Sequence, residues 1–310
     1  MYIGLCLIAK NNLFRLKNNC IMLRLRDLIL VDSREALLHI PNGKVLINTI
    51  NAHSYNTAQK DALFAEALKN GDYLIPDGAS IVKACRWVKA KSRPKERIAG
   101  WDLFVYEMNK VNEECRQQNE ECRIKNEDLK KQRSATVGKA DEECCDINSC
   151  NNNSSLNLHS SFKKKVMFLG SSEAVLAKII QEASYLYHNI EVVIYSPPYK
   201  PVFSEEDNRA MVEAINNANP DLLWIGMTAP KQEKWVYEHW DELDIHCHVG
   251  TIGAVFDFFA GTVRRAPEWW QKHGLEWLYR LLSEPRRMWR RYLIGNVLFL
   301  WNIINEKYGQ

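Results

Sequence analysis

Apolar and amphipathic stretches alternate along the chain, and this alternation predicts most of its secondary structure. Six short runs of apolar and β-branched residues predict strands at residues 45–49, 73–76, 166–170, 190–196, 221–226 and 245–250. Most segments between them carry helical patterns, such as residues 57–71 and 204–218. Strands that alternate with helices of about 10–15 residues favour a mostly parallel, doubly wound sheet. We therefore predict an α/β, Rossmann-like catalytic domain made of residues 44–111 and 165–265.

The alternation stops after residue 111. The motif Asn-Glu-Glu-Cys-Arg starts at residue 112 and again at residue 119, and residues 112–161 hold six Val, Ile or Leu and no aromatic residue. Because this is too little apolar surface for a core, we predict a polar helix that extends from Tyr106 into a largely disordered insertion at residues 112–164. Cys144, Cys145 and Cys150 in this insertion lack the paired Cys-x-x-Cys spacing of zinc sites, so we predict no metal there.

Residues 266–310 differ again, because tryptophans and arginines alternate on helical patterns. An apolar stripe lies beside an arginine-rich face, a composition typical of helices at a membrane interface. A helical appendage packed on the core with a solvated basic face would show the same pattern, and both readings stay open. The stripe consists of Leu278, Leu281, Leu282, Trp289, Leu293 and Val297.

The two ends of the sequence add little. Residues 1–43 are weakly patterned, and we treat them as a separate N-terminal segment. Met22 precedes the sequence LRLRDLILVD and is a second candidate for the start of translation besides Met1. The first residues lack the basic stretch and cleavage site of a secretory signal, and no apolar run reaches the roughly 18 residues that a membrane-spanning helix needs.

Composition excludes wholesale disorder and argues against a general nucleic-acid binder. Of the 310 residues, 46% are hydrophobic and 25% are charged, which is ordinary for a globular protein. The formal net charge is only +3, but residues 264–291 hold eight basic and three acidic residues, so the positive charge is local. Nine cysteines are an odd number, and reduced thiols of the cytoplasm are the default expectation.

Polar residues follow several predicted strands, where doubly wound sheets bind their ligands. Asp77, in Pro-Asp-Gly, is either a turn former or a general base at the edge of the sheet. Gly170 precedes a helix whose first amides suit a phosphate, although one glycine is a weak signal. Gln232 follows the strand that ends at Gly226 and is expected in the same crevice.

No Asp-x-Asp pair, the diphosphate-binding motif of many metal-dependent enzymes that use nucleotide sugars, occurs in the sequence. We therefore predict no metal or other cofactor. Any diphosphate would have to be bound by arginines, whose planar guanidinium groups match phosphate oxygens.

Long motifs distributed over residues 44–110 and 165–292 resemble, in order, those of the WecG/TagA/CpsF glycosyltransferase family. The family resemblance implies transfer of a sugar, typically N-acetylmannosamine or its uronic acid, from a UDP-sugar to a polyprenyl-diphosphate-linked sugar at the cytoplasmic face of the membrane. Such enzymes build teichoic-acid linkage units, enterobacterial common antigen, and capsular or exopolysaccharides. The motifs are INTINAH, GDYLIPDGASIV, ERIAGWDLF, FLGSS, YSPPYKPVFSEED, PDLLWIGMTAPKQEKW, GAVFDFFAGTVRRAPEWW and GLEWLYRLLSEPRRMWRRY.

The resemblance also implies roles for single residues. Asp77 matches the family's proposed catalytic base, and the remaining matches are expected to bind substrate. Thr49, Asn51, Arg97 and Gln232 match pocket residues, whereas Arg280, Arg287 and Arg290 match arginines of the C-terminal appendage, which is thought to close over the active site and meet the diphosphate. Two features depart from the family pattern: the insertion, and Ile50 where many members have proline before Asn-Ala.

We expect an inverting glycosyltransferase that is peripherally associated with the inner face of the plasma membrane through its C-terminal helices. A transferase of another UDP-hexose in capsule or exopolysaccharide assembly is the main alternative. A dehydrogenase or epimerase would show a glycine fingerprint, which is missing, and a non-catalytic membrane-surface or nucleic-acid-interaction protein would leave the polar residues at the strand ends unexplained. We expect no nucleic-acid partner; association into a homo-oligomer stays open.

Overall fold

The computed structural model describes residues 23–137 and 162–309. Its centre is one six-stranded sheet in the order β2-β1-β6-β5-β3-β4, and every neighbouring pair of strands is parallel. The predicted α/β, Rossmann-like fold and all six predicted strands are confirmed. The strands are β1 (Val45–Ile50), β2 (Tyr73–Pro76), β3 (Lys164–Gly170), β4 (Ile190–Tyr195), β5 (Leu222–Gly226) and β6 (His248–Thr251).

Helices cover both faces of the sheet and form the C-terminal part of the chain. In the catalytic body they are α1 (Ala52–Ala58), α2 (Ala62–Lys69), α3 (Ala79–Val88), α4 (Gly100–Val137), α5 (Glu173–Leu186), α6 (Glu205–Ala218), α7 (Lys231–His239) and α8 (Gly253–Phe259). The C-terminal ones are α9 (Glu268–Lys272), α10 (Glu276–Ser283), α11 (Pro285–Trp289) and α12 (Gly295–Tyr308), with a π-helical turn at Arg290–Ile294. Short 3₁₀ turns lie at Leu25–Asp27, Arg34–His39 and Trp240–Glu242.

Consecutive strand residues supply the cores on the two faces, because side chains of a strand point alternately to opposite sides. Phe168 and Trp224 pack with apolar residues of α4, α5 and α8 on one face. Their neighbours Met167 and Leu223 pack with α6 and α7 on the other face. Since both faces are covered by helices, the strands are nearly continuous apolar runs, as parallel sheets require.

The helix predicted at residues 57–71 is two helices. Asp61 begins α2 as its N-cap, and its Oδ1 accepts a hydrogen bond from the Phe64 backbone N–H at 3.0 Å. An aspartate whose side chain satisfies an N–H of the first turn is a signal for a helix start. That signal stands within the sequence AQKDALF and marks the break between α1 and α2.

The body of the protein begins before residue 44. Leu23 and Leu25 are fully buried, and the Val31 N–H donates to the Leu74 carbonyl at the edge strand β2. The predicted boundary between a separate segment and the catalytic domain therefore differs from the structure over residues 23–43, because these residues contribute apolar side chains to the core. The choice between Met1 and Met22 concerns residues outside the described part.

The last helix of the C-terminal appendage also packs in this core. Phe299 and Ile303 of α12 pack in the same cluster as Leu23 and Leu25. The buried Glu306 carboxylate accepts hydrogen bonds from the Leu25 N–H at 2.9 Å and the Tyr55 hydroxyl at 2.6 Å. The two ends of the described chain are thereby joined by a buried carboxylate.

One long helix, α4, enters the segment predicted as an insertion. Cys115 is fully buried and lies at the end of the part of α4 that packs against the core. Over residues 116–128 the helix is mostly exposed and carries ion pairs, such as Arg123 with Glu120 at 2.6 Å. The predicted polar helix is therefore present, and it begins at Gly100. The rest of the predicted insertion, with Cys144, Cys145 and Cys150, lies outside the described residues.

Candidate active site

A cavity of about 770 Å³ lies at the carboxyl edge of the sheet, over four neighbouring strands. Thr49 of β1 and Thr251 of β6 line its floor, together with Asp77 after β2 and Thr228 after β5. Because all strands are parallel, their carboxyl ends share one edge, which is where sheets of this class bind ligands. Residues of α3, α8 and the C-terminal helices form the walls.

Asp77 is held at this edge by its backbone, since its N–H donates to the Ile50 carbonyl at 2.9 Å. The carboxyl group lies deep in the protein, yet 29% of its side-chain surface is open to the cavity. Burial raises the pKa of Asp77 to about 6, because an ionised carboxylate is poorly solvated there. The nearby Arg97 lowers this pKa in part, whereas the negative charge of Glu276 raises it further.

Arg97 connects Asp77 to the C-terminal helices. Its Nε lies 3.8 Å from Asp77 Oδ1, and its Nη2 donates to Glu276 Oε2 of α10 at 2.5 Å. Arg265 approaches the other oxygen of Glu276, with Nε to Oε1 at 3.9 Å. Two arginines thus flank one carboxylate, and this cluster of charges fixes α10 against the catalytic body.

Asn51 lies in the cavity wall and begins α1. Its Oδ1 accepts hydrogen bonds from the backbone N–H groups of His53 at 3.0 Å and Ser54 at 3.1 Å. The side-chain oxygen is therefore used as a helix cap, and the amide nitrogen is the group left for a ligand. His53 faces the same cavity, and burial lowers its pKa to about 4, so it is neutral at pH 7.

Gln232 is in the cavity wall, but both ends of its amide are already paired. Its Oε1 accepts from the Met227 N–H at 3.1 Å, and its Nε2 donates to Glu233 Oε1 at 3.0 Å. Burial raises the pKa of Glu233 to about 7, and its Oε2 has no hydrogen-bond partner among the described residues. Gln232 is thus rigidly oriented between the end of β5 and this buried carboxyl group.

Guanidinium groups of the C-terminal helices close the cavity. Arg280, Arg287 and Arg291 line it. Arg280 and Arg291 lie against the rings of Phe258 and Tyr292, at 5.2 and 5.8 Å from the ring centres. The buried Nε atoms of both arginines lack a hydrogen-bond partner in the described part of the chain. Buried donors without a partner are costly, so these groups are suited to an anionic ligand.

Two of the nine residues predicted for the site lie outside the cavity. Arg290 is exposed and lies over the Trp289 ring, whereas its neighbour Arg291 points inward. Gly170 ends β3, next to Gly226 of β5, and its position is explained by packing. It has φ +121°, and a Cβ there would lie 2.5 Å from the Gly226 carbonyl oxygen. The following amide, of Ser171, donates to that same carbonyl, so it is not available for a phosphate.

The cavity therefore brings together seven of the predicted residues: Thr49, Asn51, Asp77, Arg97, Gln232, Arg280 and Arg287. Other charged residues of the cavity were missed, among them Glu233, Arg265, Glu276 and Arg291. Each lies within a motif that the family resemblance includes, but no local pattern separates them from their exposed neighbours. Which of these side chains faces the cavity depends on how each helix is rotated about its own axis.

Within residues 23–137 and 162–309, no three His, Cys, Asp or Glu side chains cluster as a metal site would require. The charges in the cavity are mainly guanidinium groups and single carboxylates. Such a set can accept a proton at Asp77 and bind an anionic group nearby.

Exposed apolar side chains mark the outer surface of the C-terminal helices. Leu282, Leu293, Val297 and Trp301 are 54–71% exposed, close in sequence to the arginines that line the cavity. No helix in the described ranges combines the length and apolar character that crossing a membrane would demand.

Similarity to known proteins extends over most of the chain. The family described as Glycosyl transferase WecG/TagA/CpsF family has a sequence model that matches residues 27–118 and 153–310. The N-acetylglucosaminyldiphosphoundecaprenol N-acetyl-beta-D-mannosaminyltransferase of Bacillus subtilis (strain 168) is 25% identical over 248 residues, which are 80% of this chain and 75% of the relative. The protein of the same name from Bacillus spizizenii (strain ATCC 23059 / NRRL B-14472 / W23) is 26% identical over 253 residues, covering 81% and 76%.

Proposed function

The chain belongs to the WecG/TagA/CpsF family of glycosyltransferases, and from this premise we propose that it transfers N-acetylmannosamine from a UDP-sugar to N-acetylglucosaminyl-diphospho-undecaprenol. The acceptor and the transferred sugar are those that the names of both Bacillus relatives give. The observation that carries the proposal is the cavity itself, in which the accessible Asp77 at the sheet edge lies together with several guanidinium groups.

Asp77 is the catalytic base in this proposal. Its carboxylate removes the proton from the attacking hydroxyl of the acceptor sugar while that oxygen forms a bond to the anomeric carbon of the donor. A pKa of about 6 suits this task, because the group is ionised at pH 7 and still basic enough to accept a proton. A single base and direct displacement give inversion at the anomeric carbon.

Arginines assist departure of UDP. As the bond between the anomeric carbon and the β-phosphate oxygen breaks, the electron pair stays on that oxygen, and the negative charge of the diphosphate increases. Arg280, Arg287 and Arg291 line the cavity and can donate hydrogen bonds to these oxygens. Gln232 contributes less than its family match implies, since its amide already has two protein partners.

We infer that the C-terminal helices contact the membrane surface. Apolar side chains such as Leu293 and Val297 are largely exposed, and arginines flank them. This combination binds the interface of an anionic bilayer. A lipid-linked acceptor is confined to that interface, so we propose peripheral association with the inner face of the plasma membrane.

The enzymatic proposal is tested by product analysis. The full-length protein is incubated with N-acetylglucosamine-diphosphate-farnesol and a panel of UDP-sugars, and products are identified by mass spectrometry. We expect an added N-acetylhexosamine mass with UDP-N-acetylmannosamine. Transfer of a hexose or a uronic acid instead would reassign the donor, and absence of any transfer would overturn the proposed reaction.

Membrane association is tested separately by sedimentation with vesicles that contain anionic phospholipid. Removing the whole C-terminal part is unsuitable, because Phe299, Ile303 and Glu306 belong to the core. We expect Leu293→Glu combined with Val297→Glu to reduce sedimentation without changing the melting temperature. Equal sedimentation of this variant and the wild type would contradict the proposed membrane contact.

A further inference from the structure

One wall of the cavity runs along helix α3 and away from Asp77. Ser80, Lys83, Ala84 and Trp87 line it. Their spacing of three, four and seven residues places them on a single face of the helix. Because an α-helix rises about 1.5 Å per residue, the wall from Ser80 to Trp87 is about 10 Å long.

Helix α12 supplies the opposite wall with the same spacing. Its lining residues are Asn296, Phe299, Leu300 and Ile303. The far ends of the two walls meet, since the Tyr308 ring lies 6.4 Å from the Trp87 ring. The two helices therefore enclose a groove that continues the cavity, and we call it the α3–α12 groove.

The α3–α12 groove changes from polar to apolar along its length. Next to Asp77 it begins with Ser80, and Lys83 adds a cation one turn further along α3. Further along stand Leu300 on α12 and Trp87 on α3, which are 55% and 38% exposed. Lys307 Nζ lies 4.5 Å from the centre of the Trp87 ring. The groove thus opens on the protein surface at a mouth that is mainly apolar.

This mouth adjoins the apolar surface proposed to contact the membrane. Val297 and Trp301 flank Leu300 on α12 and are 71% and 61% exposed. A hydrocarbon chain that leaves the bilayer at these residues lies next to Leu300, which lines the groove.

We propose that the α3–α12 groove binds the first isoprene units of the lipid acceptor. The order of groups along the groove is carboxylate, cation and apolar side chains. The order along the acceptor is sugar hydroxyl, diphosphate and hydrocarbon, so the two match when the hydroxyl lies at Asp77. The inference rests on the proposed function, because it takes the acceptor from there.

Other parts of the substrates fit this groove less well. A uracil base needs hydrogen-bond partners at its edges, whereas Trp87, Phe299 and Ile303 line the groove with mainly apolar side chains. Burial of hydrocarbon is favourable in proportion to the area removed from water. The groove therefore contributes to the affinity for lipid-linked acceptors in particular.

The test compares acceptors that share N-acetylglucosamine diphosphate and carry a methyl group or one, two or three isoprene units. With the wild-type enzyme in the absence of membranes, we expect KM to fall by about tenfold for each of the first two units. The third unit reaches beyond the groove and should change KM little. The kcat value should stay nearly constant, because the chain is held equally in the ground state and the transition state.

Variants assign the effect to the groove. In the variants Trp87→Ala and Leu300→Ala, the ratio of KM for the methyl acceptor to KM for the farnesyl acceptor should be about tenfold smaller than in the wild type. KM for the methyl acceptor itself should stay unchanged. Leu186→Ala is the matched control, because Leu186 is 52% exposed at the end of α5 and does not line the cavity. Thermal shifts with farnesyl diphosphate, compared with inorganic diphosphate, give a readout that does not depend on turnover; the two groove variants should lose the difference.

The possible outcomes distinguish an error in the groove assignment from an error in the proposed reaction. If the wild type transfers sugar to every acceptor with a KM that does not depend on chain length, the groove assignment is wrong and the proposed function stands. If the groove variants weaken the methyl acceptor as much as the farnesyl acceptor, the residues act on folding or on the sugar site, and the assignment again fails. If no acceptor is used, the proposed function itself fails.

Discussion

Charged groups are buried at both edges of the sheet, but their hydrogen bonding differs. At the carboxyl edge, Asp77 is open to a cavity, and Arg280 and Arg291 have buried nitrogens without hydrogen-bond partners among the described residues. At the amino edge, His248 and Glu107 are buried as well, but they satisfy each other. The polar groups at the carboxyl edge are therefore available to a ligand, whereas those at the amino edge are already hydrogen-bonded within the protein.

The pair at the amino edge defines a protonation state. His248 Nδ1 lies 3.0 Å from Glu107 Oε1, and Nε2 lies 2.9 Å from the Pro41 carbonyl oxygen. A carboxylate and a carbonyl both accept hydrogen bonds, so the geometry fits a ring that donates from both nitrogens. Burial lowers the pKa of His248, but Glu107 and the Pro41 carbonyl outweigh it, and the pKa is raised overall.

The difference between the edges has a general physical basis. Buried polar groups are nearly always paired in folded proteins, and groups that stay unpaired next to a cavity are candidates for function. Changes at the carboxyl edge should therefore reduce activity with little loss of stability. Changes at the amino edge should reduce stability with little loss of activity.

The largest effect is expected at Asp77. Asp77→Asn removes the base but keeps the shape of the side chain, and kcat should fall by about 10²- to 10⁴-fold. Stability at pH 8 should not fall, because burial disfavours the ionised carboxylate that the variant lacks. Turnover with the farnesyl acceptor and a urea titration measure the two effects.

Asp221→Asn is the control on the opposite edge. Asp221 Oδ2 accepts from the Lys165 N–H at 2.8 Å where β3 begins, and its loss should leave kcat within about twofold of the wild type, since it does not line the cavity. Wild-type turnover by Asp77→Asn would refute the role of Asp77 as the base.

The second largest effect is expected on stability at the amino edge. Glu107→Gln removes the charge that pairs with His248, and the free energy of unfolding should fall by about 1.5–3 kcal/mol at pH 6. Glu114→Gln on the same helix is the control, because Glu114 pairs with Lys164 in a partly exposed position and such pairs contribute about 0–1 kcal/mol. Urea denaturation gives both values.

The pH dependence of this stabilisation has a definite sign. Because the pKa of His248 is raised in the folded state, its stabilisation is fully present below the ordinary value of about 6.5 and is lost as the pH rises through the folded-state pKa. The difference between the wild type and Glu107→Gln should therefore shrink from pH 6 to pH 9. A difference that grows over this range would contradict the paired, protonated histidine.

The sheet and much of the site follow from the sequence because both depend on local patterns. Runs such as residues 45–49 are apolar on both faces of a strand, and Asp77 lies at a strand end that fixes its place at the edge. Gly170 shows the limit of this reasoning. It also ends a strand, but the order of strands places β3 three positions away from β1, and no local pattern reveals that order.

The charged residues of the C-terminal helices show a second limit. Neighbouring arginines at positions 290 and 291 differ only in the side of the helix that each occupies, and the π-helical turn Arg290–Ile294 shifts that side relative to a regular α-helix. The pairing of Arg97 with Glu276 spans 179 positions. Contacts of this range depend on the whole fold.

The contrast between arginines that line the cavity and arginines that are exposed predicts different effects of their removal. Arg291→Ala should raise KM for the donor or lower kcat by about tenfold, because a buried guanidinium group leaves the anion site. Arg286→Ala removes an exposed arginine of α11 that does not line the cavity, and should change either constant less than twofold. Similar losses in both variants would indicate an effect of the membrane or of general positive charge rather than of the cavity. Steady-state kinetics of both variants without vesicles provide this comparison.

The smallest effect is expected from Glu276→Gln. Its negative charge raises the pKa of Asp77, and it also occupies Arg97, which would otherwise interact more closely with Asp77. Loss of the charge should therefore lower the pKa of Asp77, and the acidic limb of the kcat/KM profile, expected near pH 6 in the wild type, should move to lower pH by a fraction of a unit. Glu268→Gln, at an exposed ion pair with Lys272, should leave the limb in place. A limb that moves upward in Glu276→Gln would mean that Arg97 no longer stabilises the ionised base, and that Glu276 acts by holding this arginine beside Asp77.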